Sequence, residues 1–316
     1  MACWAVLLLL PFILNQCKPK AANENSAKAA KELKISLAEW SIHHALDSGD
    51  LLAENFPLIA KNDFGISAVE YVATYYKSHA LDVAYWKKLR AISDSLGVKS
   101  LLIMVDREGD LGNTDPAERR KTVENHFKWV NAASILGCHS IRVNAFGYGP
   151  KEKVMAAMVD ALKQLCAYAA DRNISVLIEN HGLYSSDGKW VAEIMRQVNM
   201  PNCGTLPDFG NWCTSAQWGG TGEGKCQYPG AEAYDRYKGV AEMLPFARGV
   251  SAKSYRFNEQ GEETIIDYSK MLKMVLDSDF DGYIGIEYEG SQLSEKDGIL
   301  ATKALLQKTW EKPSQH

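Results

Sequence analysis

Three segments of this 316-residue chain place a carboxylate directly after an apolar run: Val176-Leu177-Ile178-Glu179, Leu206-Pro207-Asp208 and Gly285-Ile286-Glu287. Taken singly, an acid in such a place caps the next helix or pairs with a base such as Arg142. Together the three point elsewhere. Carboxylates that converge on one spot repel each other unless shared protons or a cation neutralise them, and a divalent metal is the simplest neutraliser. Mn²⁺, Mg²⁺ or Zn²⁺ would each accept such oxygen ligands, alone or with one imidazole.

Whether the three acids meet depends on the elements that carry them. Short apolar runs alternate with longer helical patterns, giving eight candidate strands: Lys34–Trp40, Ser67–Val72, Ser100–Val105, Ser140–Asn144, Ser175–Glu179, Gly204–Asp208, Gly249–Ser254 and Tyr283–Glu287. Between them lie helical stretches such as Leu81–Leu96, Pro116–Leu136, Lys151–Asp171 and Ile265–Leu276. Asp115-Pro116 and Gly149-Pro150 put proline at helix starts, where its missing N–H costs little, and Gly97, Gly137 and Asn173 follow helix ends as caps. Eight strands alternating with helices predict a parallel sheet closed into a (β/α)8 TIM barrel, a single α/β domain over residues 32–312. An open doubly wound sheet would carry a Gly-rich phosphate turn after an early strand, and none is present. In such a barrel the working groups stand at the carboxyl ends of the strands, where Glu179, Asp208 and Glu287 fall.

At these residues the chain resembles the sugar phosphate isomerase/epimerase superfamily, the xylose isomerase-like barrels that include ketose 3-epimerases and inosose dehydratases. The resemblance rests on Leu177-Ile178-Glu179-Asn180-His181, Pro207-Asp208-Phe209-Gly210-Asn211, Val250-Ser251-Ala252-Lys253 and Ile284-Gly285-Ile286-Glu287. It implies a metal held by Glu179, Asp208 and Glu287. The family's fourth ligand is a His on strand seven, in His-x-Lys; here that strand reads Ser251-Ala252-Lys253. Three outcomes are open: a water fills the place, another side chain such as His181 swings in, or the metal is lost. His181 shares the side-chain parity of Glu179 on a regular strand, which suits it to the metal or to substrate. The resemblance further implies proton transfer on a carbon beside a carbonyl, with Glu179 and Glu287 as the acid-base pair and a metal stabilising the enediolate. Lys253 has the parity of Ser251, so it faces the same lumen, to donate a proton, bind a substrate oxygen or pair with Asp208 or Glu287. Glu70, Arg142 and Trp212 are expected at the substrate, each with a structural use as the alternative. Trp40, Phe146 and Tyr288 are further candidates for an apolar wall, and His43 and His44 for the mouth.

Composition narrows the partners. With 46% hydrophobic and 23% charged residues, a net charge of -4 and no basic block, a nucleic-acid partner is not expected. Ala5 to Leu14 is almost wholly apolar and too short to span a bilayer; it reads as an export signal over residues 1–17, followed by a polar tether over 18–31. Cys17 directly after the apolar run suggests a lipoprotein, the only membrane link expected. Export to the cell envelope disfavours sugar phosphates, which are cytoplasmic, and no phosphate cradle is visible. The expected substrate is therefore an unphosphorylated sugar or keto-sugar. Isomerisation or epimerisation leads; elimination from a keto-glycoside at the same site, and a non-catalytic carbohydrate-binding barrel, are the alternatives. Cys213 and Cys226 bracket a Gly-rich loop that a disulfide would close in an oxidising compartment.

Overall fold

The computed structural model describes residues 1–2, 31–214, 221–223, 225–227 and 230–311. The expected signal over 1–17, with Cys17, and the tether over 18–31 lie outside the described residues, save Met1, Ala2 and Lys31.

Eight parallel strands form one sheet: β1 (Ile35–Ala38), β2 (Ala68–Val72), β3 (Lys99–Val105), β4 (Ser140–Asn144), β5 (Ser175–Glu179), β6 (Cys203–Leu206), β7 (Val250–Ser254) and β8 (Ile284–Tyr288). Their spatial order is β7-β8-β1-β2-β3-β4-β5-β6. The two outer strands then meet through parallel bridges at Thr205–Ala247 and Asp208–Ser251, with Ser251 N donating to Pro207 O at 3.0 Å and Phe209 N to Ser251 O at 3.1 Å. The sheet is thus closed as a barrel, and its last seam lies between Asp208 and Ser251.

Helices α1 (His43–Ser48), α2 (Phe56–Phe64), α3 (Val83–Leu96), α4 (Pro116–Leu136), α5 (Lys151–Ala170), α6 (Gly188–Val198), α7 (Arg236–Met243), α8 (Tyr268–Asp277) and α9 (Glu295–Trp310) connect the strands. Local chemistry sets their limits. Asp115 accepts from Ala117 N and Glu118 N ahead of Pro116, and Gly137 closes α4 at φ 88. Two helices start later than their apolar pattern suggested, because Asp82 and Asp267 act as N-caps for α3 and α8. Strand β1 is shorter than expected because the chain turns into a 3₁₀ helix at Glu39–Ile42.

Each strand divides its side chains between two layers. Leu37, Val69, Ile103, Val143, Ile178, Ala252 and Ile286 face outward into the main core beneath the helices. Ala38, Val72, Leu102, Met104, Leu177 and Leu206 form a smaller inner cluster. The inward sets of β4, β5, β7 and β8 also carry Arg142, Glu179, Ser251, Lys253 and Glu287, all buried. Polar side chains are costly there unless they satisfy each other, which makes this end of the lumen a site.

Candidate active site

Glu179, Asp208 and Glu287 each offer a carboxylate oxygen within 4.8 Å of the other two, and all three are buried. Asp208 Oδ1 accepts from Gly210 N at 2.8 Å and Asn211 N at 2.7 Å, which fixes the turn after β6. Asn180 ties that turn to β5: its Oδ1 accepts from Asp208 N at 2.8 Å and its Nδ2 donates to Asp208 O at 3.0 Å. Ser251 Oγ lies 2.6 Å from Asp208 Oδ2 and 2.6 Å from Glu287 Oε2. One hydroxyl has one proton to give. Two acceptors at that distance therefore call for a second positive centre, either a proton on one carboxyl or a cation.

Two buried cations face the acids. Lys253 Nζ stands 2.9 Å from Glu287 Oε1, 3.2 Å from Glu289 Oε2 and 4.0 Å from Asp208 Oδ2. Arg142 Nε is 2.7 Å from Glu179 Oε2 but is not aligned as a hydrogen bond, whereas its Nη1 donates to Asp106 Oδ1 at 2.7 Å. Burial opposes the charge on both bases, but the surrounding carboxylates outweigh it and raise both pKa values above the ordinary ones. Burial also opposes the charge on Glu287, yet Lys253 and Ser251 hold its carboxyl below the ordinary range. Asp208, pressed by burial and by Glu287 and Glu179, is pushed up to about 8, and burial, with Glu287 and Asp106 nearby, pushes Glu179 up to about 7 although Arg142 and Lys253 oppose it.

Over this cluster opens a cavity of about 440 Å³, lined among others by Trp40, Asp106, Arg142, His181, Asn211, Glu287 and Glu289. Trp40 Nε1 donates to Glu289 Oε1, so the 3₁₀ turn after β1 and the end of β8 form one wall. On another side His181 Nδ1 bonds Asn144 Oδ1 at 2.8 Å, and Phe146 stacks on the ring at 6.0 Å. Burial, with Arg142 nearby, lowers the His181 pKa to about 4, so the ring is neutral at pH 7.

The sequence-expected residues divide as follows. Glu179, Asp208, Glu287, Ser251 and Lys253 come together as one cluster, and Arg142 and His181 reach the same cavity. Glu70 sits deeper: Ser36 Oγ donates to its Oε1 at 2.6 Å, and a Cβ on Gly285 would lie 2.6 Å from the same oxygen. Gly285 thus makes room for Glu70 inside the barrel rather than at the mouth. Burial first, then Glu287 and Glu179, push the Glu70 carboxyl up to about 7. Trp212 is not among the residues lining this cavity. It is 2% exposed and packs on α7, where a Cβ on Gly239 would come within 2.0 Å of its ring. The loop after Asn211 turns away from the mouth, and the indole follows it into the core. Tyr288 likewise points outward toward Gly298, as the neighbour of an inward Glu287 must. His43 stacks on Trp40 at 4.5 Å, and His44 N donates to Glu295 Oε1 at 2.7 Å.

Asp106, Asn144 and Glu289 were not singled out in the sequence. Asp106 had the same signal as the trio, an acid directly after the apolar run Leu101–Val105. Asn144 and Glu289 gave none, because a neutral amide and a second acid in Glu287-Tyr288-Glu289 are ordinary at a strand end.

The residues fit a divalent cation. Three buried carboxylate oxygens lie within 4.8 Å of one another, and the acids around them outnumber Arg142 and Lys253. His181 does not belong to that trio, and its Nδ1 is held by Asn144. Ser251 stands where the imidazole was expected, so the donors are oxygens.

Residues 59–309 match the family described as xylose isomerase-like TIM barrel. No curated protein matches the sequence. Among solved structures, a D-tagatose 3-epimerase-like protein superposes with a TM-score of 0.64 at 17% identity, covering 88% of this chain and 97% of its own. The IOLI protein with a binding zinc atom gives 0.66 at 13% identity, covering 90% of this chain and 100% of its own. The apo form of 3-keto-D-glucoside 4-epimerase, YcjR, from E. coli gives 0.64 at 13% identity, covering 88% and 100%. At these identities the likeness is one of fold.

Proposed function

Since the chain belongs to the xylose isomerase-like TIM barrel family, we propose that it is an enzyme that moves a proton on the carbon beside a sugar carbonyl, an isomerase or epimerase of an unphosphorylated sugar. The observation that carries this reading is the buried trio Glu179, Asp208 and Glu287, whose Glu287 lines a cavity large enough for a monosaccharide unit. Sugar epimerases among the structures of the same fold support it.

Glu179 and Glu287 take the roles of proton acceptor and donor on the substrate carbon. Their environments suit the division. Glu287 is kept ionised by Lys253, whereas Glu179 is pushed up to about 7, near the operating range of a group that gives and takes a proton. Lys253, held protonated beside the cavity-lining Glu287 and Glu289, stabilises a developing oxyanion or donates to a leaving oxygen. Glu179, Asp208 and Glu287 are the residues that would hold a divalent cation, with the Ser251 hydroxyl beside the last two. Such an ion supplies Lewis-acid stabilisation of the enediolate when bound. An oxygen donor set favours Mg²⁺ or Mn²⁺ over Zn²⁺.

A neutral substrate follows from charge. Asp47, Asp106, Glu287 and Glu289 line the cavity against Arg107 and Arg142, and Arg142 already faces carboxylates. A phosphate would meet net repulsion there. Export remains part of the proposal, with lipidation at Cys17. It is supported by the Cys213–Cys226 disulfide, a bond that persists mainly outside reducing compartments.

The test is solvent-proton exchange. Free ketohexoses and 3-keto-glucosides are incubated in D₂O with Mg²⁺ or Mn²⁺, and loss of the α-proton signal is followed by NMR. Exchange with an epimer or isomer as product is expected, abolished in Glu179→Gln and Glu287→Gln. Undiminished exchange in both variants would sink the assignment, and release of a free aglycone would move it to elimination.

A further inference from the structure

Arg107, the second residue past β3, stands in a backbone conformation that an arginine rarely adopts, with φ 62. Its neighbours hold it there. Asp106 Oδ1 accepts from Arg142 Nη1 at 2.7 Å and from Asn144 Nδ2 at 2.6 Å. Glu108 is tied to α4: its Oε2 accepts from Lys128 Nζ at 2.7 Å, its Oε1 from Trp129 Nε1 at 2.8 Å and its carbonyl from Asn125 Nδ2 at 3.0 Å. The same turn uses glycine two residues on, at Gly109 with φ 106, and yet it carries a long cationic side chain at 107. Strain of this kind persists where the surroundings fix it, and it gathers at sites that hold ligands.

That side chain is exposed, and among the described residues its guanidinium makes no hydrogen bond or ion pair. It lines two cavities at once. One is the cavity of about 440 Å³ that Glu287 also lines; the other, of about 260 Å³, lies along the loops after β3 and β4. Asp106 and Arg107 belong to both walls, so the two spaces adjoin at the guanidinium. The second is walled by Phe146 and by Tyr148, which is 56% exposed. The two loops are laced backbone to backbone, because Gly112 N donates to Phe146 O at 2.7 Å where a Cβ at Gly112 would crowd the same oxygen. The pocket is therefore formed before anything enters it.

We propose that this side pocket is a subsite for a second sugar unit, selected by Arg107, so that the substrate is a glycoside or disaccharide rather than a free monosaccharide. The inference rests on the sugar reading and narrows it. A guanidinium only donates, and its planar fork matches two neighbouring hydroxyl oxygens on a ring. Phe146 and Tyr148 offer apolar area to the C–H face of that ring. Asp106, Glu108 and Asp110 line the same pocket, so a neutral ring suits it better than another carboxylate. One unit then stands at the acids, while the other, bound to Arg107, supplies binding energy from a distance to orient the reacting carbon.

Binding to the full chain is measured by titration calorimetry in Mg²⁺, with methyl α- and β-D-glucoside, cellobiose, maltose and trehalose as probes. At least one disaccharide is expected to bind about tenfold tighter than either methyl glucoside, the worth of one hydrogen bond to a charged group. Arg107→Ala should cut that ratio to about twofold or less, and Tyr148→Ala should lower it as well. Urea unfolding separates this from loss of the fold. Arg107→Ala should keep the wild-type midpoint, and Arg107→Gly should match or exceed it, since glycine relieves the φ. An equal ratio in wild type and Arg107→Ala overturns the proposal, as does a lowered midpoint in Arg107→Gly, which would make the arginine structural. Methyl glucosides that bind as tightly as every disaccharide would remove the subsite alone. Failure of all five probes to bind would count against the sugar reading itself and take the subsite with it.

Discussion

Lys253→Met is the substitution that most directly tests the electrostatic account of the site. Methionine fills nearly the same volume but removes the only cation within 3.2 Å of Glu287 and Glu289 among the described contacts. At an effective dielectric near 20, one charge pair at 2.9 Å is worth about 6 kcal/mol. Desolvating the ammonium takes back several kcal/mol of this, and removal of one partner from a buried pair typically leaves a net loss of about 3–5 kcal/mol. For a domain of this size, at roughly 2 °C per kcal/mol, the midpoint of thermal unfolding should fall by about 6–10 °C. The measurement is urea or thermal unfolding in EDTA. The loss has a second signature, because it arises from uncompensated negative charge. Mg²⁺ or Mn²⁺ should restore more stability to Lys253→Met than to the wild type, up to about 2.7 kcal/mol at a hundredfold excess over its dissociation constant. A variant within about 1 kcal/mol of the wild type in EDTA would refute the reasoning, since a change so small belongs to an exposed pair.

Metal selection should follow the donor set: purified protein equilibrated with equimolar Mg²⁺, Mn²⁺ and Zn²⁺ is expected to be stabilised more by Mn²⁺ or Mg²⁺, and to lose that preference in Asp208→Asn; tighter zinc binding at the trio would contradict it. Gly239→Ala sets a methyl within 2.0 Å of the Trp212 ring in a packed core, so destabilisation of about 1–3 kcal/mol or more is expected by denaturant unfolding. The pH dependence has a defined sign. Burial pushes Glu39 up to about 8 although Tyr76 and Val72 donate to it, so the folded chain keeps a proton there that the unfolded chain releases near the ordinary carboxylate range. Stability from this group is full at low pH and falls as pH rises from about 5 to about 8, with a slope approaching 1.4 kcal/mol per pH unit. Unfolding free energies of wild type and Glu39→Gln across that range should differ in slope, and parallel curves would exclude the assignment.

The parts of the fold and site legible in the sequence are those set by alternation, and the parts that were not are set by loops. Once β5, β7 and β8 are strands of one barrel, Glu179, Lys253 and Glu287 must face inward at similar heights. Parallel register places Lys253 beside Glu287, and no loop choice alters that. The same alternation turns Tyr288 outward, away from the sugar-binding wall for which its aromatic ring makes it a candidate. Beyond the strand ends parity stops. Trp212 follows Asp208 by a turn whose geometry is dictated by two backbone N–H groups closing on Asp208 Oδ1, and this sends the indole into α7. Asp106 shows a different gap. Its signal, an acid after an apolar run, equals that of the trio, but the family's metal ligands stand on strands five to eight. Its partner Arg142 could be read as an interior ion pair without saying which acid it served. Asp106 completes that pair and also accepts from Asn144, so an acid just past the end of β3 joins the cavity wall, beyond a strand to which the family's metal ligands gave no pointer. A search for functional residues in such barrels should therefore treat every strand end bearing an acid alike, and let the buried cations decide which acids belong to the site.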